Sequence, residues 1–328
     1  MAEYVVGIDL GGTRMRAALL DPELNLVDRE EVPTDADQGR DITLDRMQEL
    51  VQQILPDDPE AHVGGIGISA PGPSNPITGV LVAPPNLPGW HNVPLVQILQ
   101  KAFGYSTYLG NDANVAALAE TARGAARGYR HVIFVTLSTG IGGGIISDGR
   151  LLLGEDGLAA EVGHMPLVVG DTVTTLEKEA AGPALARKAR ARIQNGEKSL
   201  ISELVNGELG DCTGRIVGSA AEQGDALALS IVQRAGFIVG LGLTSLLHVF
   251  NPEIIVLGGG VSSLGELLFA PMREAIEKYC IDSAYWQNLQ IKPAELGDNV
   301  SLVGAAALVI TRGGMEDVAA LMHKLDEA

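Results

Sequence analysis

One order of elements occurs twice along this 328-residue chain, and that recurrence limits the fold more than any other feature. Residues 4–9 are rich in β-formers and end in Leu10-Gly11-Gly12-Thr13. Residues 16–20 read as a second strand, Asp21-Pro22-Glu23 turns the chain, and 24–32 fit a third strand. A helical period comes next, with apolar residues at 44, 47, 50, 51, 54 and 55; Thr43 is placed to cap it and Pro56 to stop it. Residues 63–69 read as a short apolar strand broken by glycines, after which Ala70-Pro71-Gly72-Pro73 forces a loop. The order then returns. Residues 132–137 read as a strand, Ser138-Thr139-Gly140-Ile141-Gly142-Gly143-Gly144 as a turn, 145–147 as a strand, Asp148-Gly149 as a tight turn, and 150–153 as a strand. A helix over 225–250, a strand over 253–257 and Gly258-Gly259-Gly260 complete the second series. The two series share little sequence, so the repeat is one of architecture. Alternating strands and helices predict an α/β fold, and a duplication predicts two lobes with a cleft between them.

Two Ala-rich segments, 114–123 and 303–310, read as helices that cross between the lobes, their small side chains allowing close packing. The stretch 316–325 reads as a last helix returning to the first lobe. The predicted division is 1–114 with 312–328 as a small lobe, and 115–311 as a large lobe.

Charge narrows the partners. Lys and Arg number 23 and Asp and Glu 41, a formal net charge of −18. A duplex nucleic-acid binder needs a basic footprint to displace counterions, and an anionic membrane surface attracts basic segments, so both are disfavoured. Two cysteines, Cys212 and Cys280, are too few for a disulfide framework and read as free thiols of a reducing compartment. The start of the chain lacks the basic and apolar regions of a signal peptide. The most apolar window, 235–250, carries three glycines, Thr244, Ser245 and His248, and reads as a buried helix. A cytoplasmic protein is expected.

Three glycine turns at strand ends carry the first chemical signal. Glycine lets the backbone approach a phosphate, and free N–H groups can meet its oxygens. None of the three has the Gly-Lys-Ser/Thr of a P-loop or the GxGxxG-helix setting of a dinucleotide fold. Asp9, at the end of the first strand, suits a Mg²⁺ held mostly through water. Asn111-Asp112 precedes the first Ala-rich helix. Asp112 is either an ordinary N-cap or a general base for a substrate hydroxyl, and a helix N-terminus would lower its pKa and make it a weak base. Weak basicity suffices in phosphoryl transfer, where most catalysis is positioning. Glu161 and His164, three apart, are spaced to bond adjacent sugar hydroxyls, although in isolation a surface glutamate and a satisfied histidine are the better explanation.

Taken in order, these segments resemble the ROK family of bacterial sugar kinases and repressors, within the actin and hexokinase superfamily. The landmarks are Gly7-Ile8-Asp9-Leu10-Gly11-Gly12-Thr13, Gly67-Ile68-Ser69-Ala70-Pro71-Gly72-Pro73, Pro85-Asn86-Leu87-Pro88-Gly89-Trp90, Asn111-Asp112-Ala113-Asn114, Thr139-Gly140-Ile141-Gly142-Gly143-Gly144, Glu161-Val162-Gly163-His164 and Leu257-Gly258-Gly259-Gly260-Val261. The resemblance implies a two-lobed, ribonuclease H-like duplicated fold with mixed five-stranded sheets. It implies an ATP- and Mg²⁺-dependent hexose kinase of glucokinase type, active as a homodimer. It assigns Asp9 to Mg²⁺, Gly11, Gly12, Thr13 and Arg14 to the first phosphate loop, Thr139 and Gly140 to the second, and Gly259 and Gly260 to the adenosine. Asp112 resembles the base that takes the proton of the sugar 6-hydroxyl. Gly72, Asn86, Asn111, Glu161 and His164 resemble sugar-site residues.

One departure stands out. Many family members carry CxCGxxGCxE after the Gly-His, and its cysteines bind zinc with the histidine. Here 168–177 contain no cysteine, the spacing is shorter, and His164 alone cannot build a tetrahedral site, so no zinc is expected. Leu176-Glu177-Lys178-Glu179-Ala180-Ala181-Gly182 resembles the family's sequence beyond the last cysteine, which makes Glu177 the final sugar ligand, with Glu179 as the alternative if the register slips. Other readings are a kinase for fructose, mannose or an N-acetylhexosamine, a sugar-responsive repressor, and a non-catalytic filament or scaffold. The repressors carry a DNA-binding segment ahead of a strand that here begins near Tyr4. A scaffold has no use for Asp112 with Glu161 and His164. The remaining histidines, 62, 91, 131, 248 and 323, and Trp90 and Trp286, read as structural.

Overall fold

The computed structural model describes residues 4–58 and 60–327. Residues 1–3, part of the stretch read as lacking a signal peptide, lie outside them, as does 328, the end of the tail assigned to the small lobe. The first series forms strands β1 (Tyr4–Leu10), β2 (Arg14–Leu20) and β3 (Leu26–Pro33), helix α1 (Arg40–Ile54) and strand β4 (Val63–Ala70). Then come the short strands β5 (Ser74–Asn75) and β6 (Val80–Leu81), helix α2 (Leu95–Phe103), strand β7 (Thr107–Asn111) and helix α3 (Asp112–Arg123). The second series begins with β8 (Val132–Leu137), β9 (Ile141–Ser147) and β10 (Arg150–Leu151). A hairpin, β11 (Pro166–Val169) and β12 (Thr172–Thr175), leads to helices α4 (Leu176–Ala180), α5 (Gly182–Gln194), α6 (Ile201–Leu204), α7 (Gly214–Glu222) and α8 (Ala226–Phe250). Strand β13 (Ile254–Gly258), helix α9 (Glu266–Tyr279), strand β14 (Gln290–Pro293) and helices α10 (Val300–Ile310) and α11 (Val318–Asp326) complete the chain.

The duplication is legible in the sheets. One runs β3-β2-β1-β4-β7 and the other β10-β9-β8-β13-β14, the same order in each series. In the first sheet β1 pairs antiparallel with β2 and parallel with β4, and β4 pairs parallel with β7. The chain divides into two compact units: Met1–Ile133 with Gly144–Ala160 and Ala294–Ala328, and Phe134–Gly143 with Glu161–Pro293.

In the first unit, strand alternation sorts the side chains. Val6, Ile8 and Leu10 of β1 and Ile66 and Ile68 of β4 join a core with Met47, Leu50 and Val51 of α1 and the buried Trp90. On the opposite face Gly7 and Gly67 meet α10. A Cβ on Gly67 would stand 1.7 Å from the carbonyl oxygen of Ala305, so helix and sheet approach to backbone contact. The glycines expected to break the strand at 63–69 therefore belong inside it. Gly304 of α10 lies equally close to α3, where a Cβ would be 2.0 Å from the Val115 carbonyl oxygen.

That packing moves the boundary away from the one the sequence predicts. Residues 115–133, 144–160 and 294–311 belong to the first unit, because α3 and α10 pack on each other and α10 on β1 and β4. Two local expectations are corrected as well. Helix α1 starts at Arg40 with Gly39 as its N-cap, and Thr43 is buried inside it, donating its hydroxyl to the Gly39 carbonyl oxygen at 3.0 Å. The second glycine turn is only Ser138–Gly140 long, since β9 already begins at Ile141.

In the second unit, α8 carries the core. It is long and apolar enough to cross a membrane by length and composition, but 61 % of its most apolar window is buried within the protein. Gly236 and Gly240 admit the backbone of α9, where a Cβ would stand 2.3 Å from the Leu268 and 2.4 Å from the Met272 carbonyl oxygen. Asp225 caps α8, accepting the Ala228 N–H at 2.8 Å. Both cysteines are free thiols.

Candidate active site

In the first unit parallel strands end side by side, and their last residues gather the expected site residues of that unit. The registers set Asp9 of β1 opposite Ser69 of β4, and Ser69 opposite Gly110 of β7. The next residues, Asn111 and Asp112, cap and open α3. Asn111 is the N-cap, its Oδ1 accepting the Asn114 N–H at 2.8 Å, which leaves its amide nitrogen as the donor able to meet a hydroxyl. Asp112 is thus the first helical residue and not the cap. Its Oδ1 accepts the Ser69 hydroxyl at 3.0 Å, and Ser69 is fully buried. Ser69 stands in a landmark segment, but the sequence alone suggests no role for it.

The electrostatics of Asp112 reverse the expectation drawn from its helix terminus. Solvent reaches the side chain, but protein fills most of the space around the carboxylate. Poor solvation of the anion pushes its pKa up, the negative charge of Asp9 pushes it further, and the Ser69 hydrogen bond only partly offsets them, leaving a pKa of about 6. That value suits a group that must accept a proton near neutral pH.

The first glycine turn closes with the Gly11 N–H donating to the Arg14 carbonyl oxygen at 3.0 Å. Thr34 braces it, its hydroxyl on the Gly11 carbonyl oxygen at 2.6 Å and its N–H on that of Thr13 at 2.9 Å. Asn86 lies directly on the turn: a Cβ on Gly12 would be 2.7 Å from the Asn86 Cβ. Gly72 is exposed with nothing within 4 Å of its missing Cβ, and the Gly72–Pro73 peptide is cis. Arg14 bonds Asp298 at 2.9 Å and Glu31 at 3.4 Å. Behind it, the buried Arg16 binds Asp9 through Nε at 2.9 Å and Nη2 at 2.5 Å. Burial opposes the charge of Arg16, but the bonds and charge of Asp9 outweigh that, so its pKa is raised. Arg16 lies within β2 between Met15 and Ala17, and no linear motif marks this contact.

The second unit holds the other expected residues. Val261 donates its N–H to the Leu137 carbonyl oxygen at 2.8 Å, so the turns after β8 and β13 adjoin. Gly259 has φ +85°, and a Cβ there would stand 2.4 Å from the same Leu137 oxygen. Gly260 has open space before it. Thr139 and Gly260 line a cavity of about 950 Å³ together with Gly182, which ends the Leu176–Gly182 segment, and with Thr213 and Gly214, which no sequence motif singles out. Its size is that of a small-ligand pocket.

Beside this turn, Glu177 accepts the Ile141 N–H at 2.9 Å, and a Cβ on Gly140 would touch its carboxylate at 2.7 Å. The Glu161–His164 segment packs on the same place, a Cβ on Gly163 meeting the Ile141 carbonyl oxygen at 2.0 Å. Glu161 and His164 are both exposed. Glu179 is committed elsewhere. Lys188 binds its carboxylate at 2.7 Å and Thr174 donates at 3.1 Å; although burial pushes its pKa up, those partners bring it below the usual range. The segment where the family resemblance would place zinc cysteines is here the β11–β12 hairpin, turned at Gly170-Asp171 and held by its own ladder from Pro166↔Thr175 to Val169↔Thr172.

Among the described residues no three His, Cys, Asp or Glu side chains gather closely enough to hold a metal ion. Mg²⁺ does not need such a cage, because it keeps several waters and leans on one or two carboxylates and substrate phosphates. Asp9 fits that demand. Both Arg16 bonds fall on its Oδ2, which leaves Oδ1 for a hydrated ion.

Two sheets of identical strand order, with glycine turns at the ends of the first strand of each, define an actin/hexokinase-like fold. The chain belongs to the ROK family, whose profile matches residues 5–312. It is 34 % identical over 316 residues to a glucokinase of Thermotoga maritima, covering 94 % of this chain and 98 % of that one. A ROK family glucokinase from Streptomyces griseus, solved in complex with glucose and AMPPNP, is 32 % identical with a TM-score of 0.74, covering 93 % and 98 % of the two chains. A ROK hexokinase from Thermus thermophilus is 34 % identical with a TM-score of 0.77, covering 92 % and 97 %.

Proposed function

We propose that this chain is an ATP-dependent hexose kinase, with glucose as its main acceptor, that transfers the γ-phosphoryl group to the sugar 6-hydroxyl. The observation that carries this is Asp112: a carboxylate held by Ser69 at the end of parallel strands, next to a glycine turn, with a pKa of about 6. In the proposed step the sugar 6-oxygen attacks the γ-phosphorus, the bond from that phosphorus to the β–γ bridging oxygen breaks, and the hydroxyl proton passes to Asp112. ADP leaves with the electron pair. Because the transition state is loose, the proton moves late and a base of this strength suffices.

The glycine turns, Gly11–Thr13 with Arg14 and Thr139–Gly140, supply N–H groups and charge to the phosphates, and the cavity lined by Thr139 and Gly260 takes the nucleoside end. Mg²⁺, when bound through the nucleotide and Asp9, neutralises phosphate charge. Asn111 and Asp112, with Gly72 and Asn86, serve the sugar in the first unit, and Glu161, His164 and Glu177 are the proposed hydroxyl ligands of the second. Glu177 is preferred to Glu179, which is tied to Lys188. The relatives named glucokinase support glucose over other hexoses.

The test is Asp112→Asn. Sugar-dependent ADP release is expected to fall at least about 100-fold, the low end of what a general base contributes. Sugar binding, measured by calorimetry, is expected to persist. Near-normal turnover would remove Asp112 from the role of base.

A further inference from the structure

Asp9 does not stand alone at the end of β1. Its cross-strand neighbour in the antiparallel register is Arg16, which is 5 % exposed. Two of the five N–H donors of that guanidinium meet Asp9, both on Oδ2. From the other side, Nη1 reaches the Asp298 carbonyl oxygen at 2.7 Å and its Oδ2 at 2.9 Å. Asp298 also receives Arg14 at 2.9 Å and Arg29 at 2.8 Å, and these cations hold its carboxyl below the usual range, Arg29 foremost.

The segment that carries Asp298 is itself anchored. Glu120, wholly buried in α3, accepts the N–H groups of Glu295 and Leu296 at 3.0 Å each, as well as that of Ala125 at 2.8 Å. A buried carboxylate survives where several donors satisfy it. The result is an unbroken line of bonds from Glu120 through the 295–298 backbone to Arg16 and Asp9, all within the first unit.

We propose that Arg16 is the positioning residue for Asp9. One edge of its guanidinium, Nε with Nη2, grips Oδ2, so the carboxylate keeps one rotamer with Oδ1 presented to the hydrated Mg²⁺ of a bound nucleotide. Asp298 holds the fork in plane from behind. A lysine at the same place would preserve the charge and lose the fork. Positioning and charge are therefore separable by experiment. The inference rests on the nucleotide reading under Proposed function.

The test is calorimetric titration of ADP into the full chain, once in excess Mg²⁺ and once in EDTA. Wild-type protein is expected to bind ADP more tightly with Mg²⁺, and the ratio of the two Kd values measures what the ion adds. In Arg16→Lys that ratio is expected to fall at least threefold while the Kd in EDTA stays within twofold of wild type. A residue that merely stabilised the fold would weaken both. Asp298→Asn, which loosens the fork without touching Asp9, is expected to lower the ratio in the same direction, and it decides the matter if Arg16→Lys does not fold. In turnover both variants are expected to lose kcat with the sugar KM within twofold. Wild-type protein that binds no ADP in either buffer would overturn the nucleotide reading and this inference with it. A Mg²⁺ gain that the variants keep, or its absence from wild type, would overturn this inference alone.

Discussion

Asp112 works as a proposed base because its surroundings disfavour its charge, and that has consequences at two pH ranges. With a pKa of about 6, the carboxylate is protonated in acid, so sugar-dependent kcat/KM is expected to fall as pH drops through about 6. A profile flat down to pH 4.5 would contradict this. Stability moves the opposite way. The folded pKa lies above the unfolded value of about 3.9, so between the two the folded state binds more protons, and stability contributed by this group is lost as pH rises from about 4 to about 6. Asp112→Asn removes that penalty. The variant is expected to melt above wild type at pH 7, with the gap closing towards pH 4; equal melting temperatures at pH 7 would show that Asp112 is well solvated. Little of this is legible in the sequence. The landmark locates Asp112, but the usual helix-terminus rule gives the wrong sign, because the shift comes from burial and from Asp9, neither of which has a local signature. Arg16 and Ser69 escape a reading of the sequence for the same reason: what they do depends on strand register, which a linear motif does not display.

At the scale of elements, close approach of backbones decides where the glycines fall. Gly67 faces α10 with no room for a methyl group, and a Cβ there would overlap the Ala305 carbonyl oxygen. Gly67→Ala is expected to destabilise the protein by at least about 2 kcal/mol, the scale of core overpacking, as read by chemical denaturation. A loss under about 0.5 kcal/mol would mean that α10 shifts freely on the sheet. Strands and long helices are legible from period and caps; the expected interruption at 63–69 is absent because a glycine in a strand looks like a break until the helix opposite it is known. The Gly140–Gly144 run misleads similarly. Only Gly140 lies in the turn, whereas Gly144 sits in β9, where a Cβ would be 2.5 Å from the Ala113 carbonyl oxygen of α3. The hairpin at 166–175 could not be foreseen from the missing cysteines alone. A dialysed sample is expected to contain well under one zinc per chain by elemental analysis, and one tightly held zinc would defeat that expectation.

For the whole molecule, the duplication is the legible part, since it is written in the order of elements; the matching sheets, each with its three-strand meander and two further strands, bear it out. The division into units is less so. Helix α10 comes after the second series in sequence but packs with the first, because glycines on three elements accept it there. The net charge of −18 is compatible with phosphate ligands, since glycine-turn N–H groups and Mg²⁺ can hold a nucleotide without a basic patch. The most direct test of the proposed function is ADP release from ATP across a panel of glucose, fructose, mannose and N-acetylhexosamines, with the product identified by phosphorus NMR. Expected is sugar-dependent release, fastest with glucose, yielding the 6-phosphate. A folded protein that releases no ADP with any hexose would contradict it.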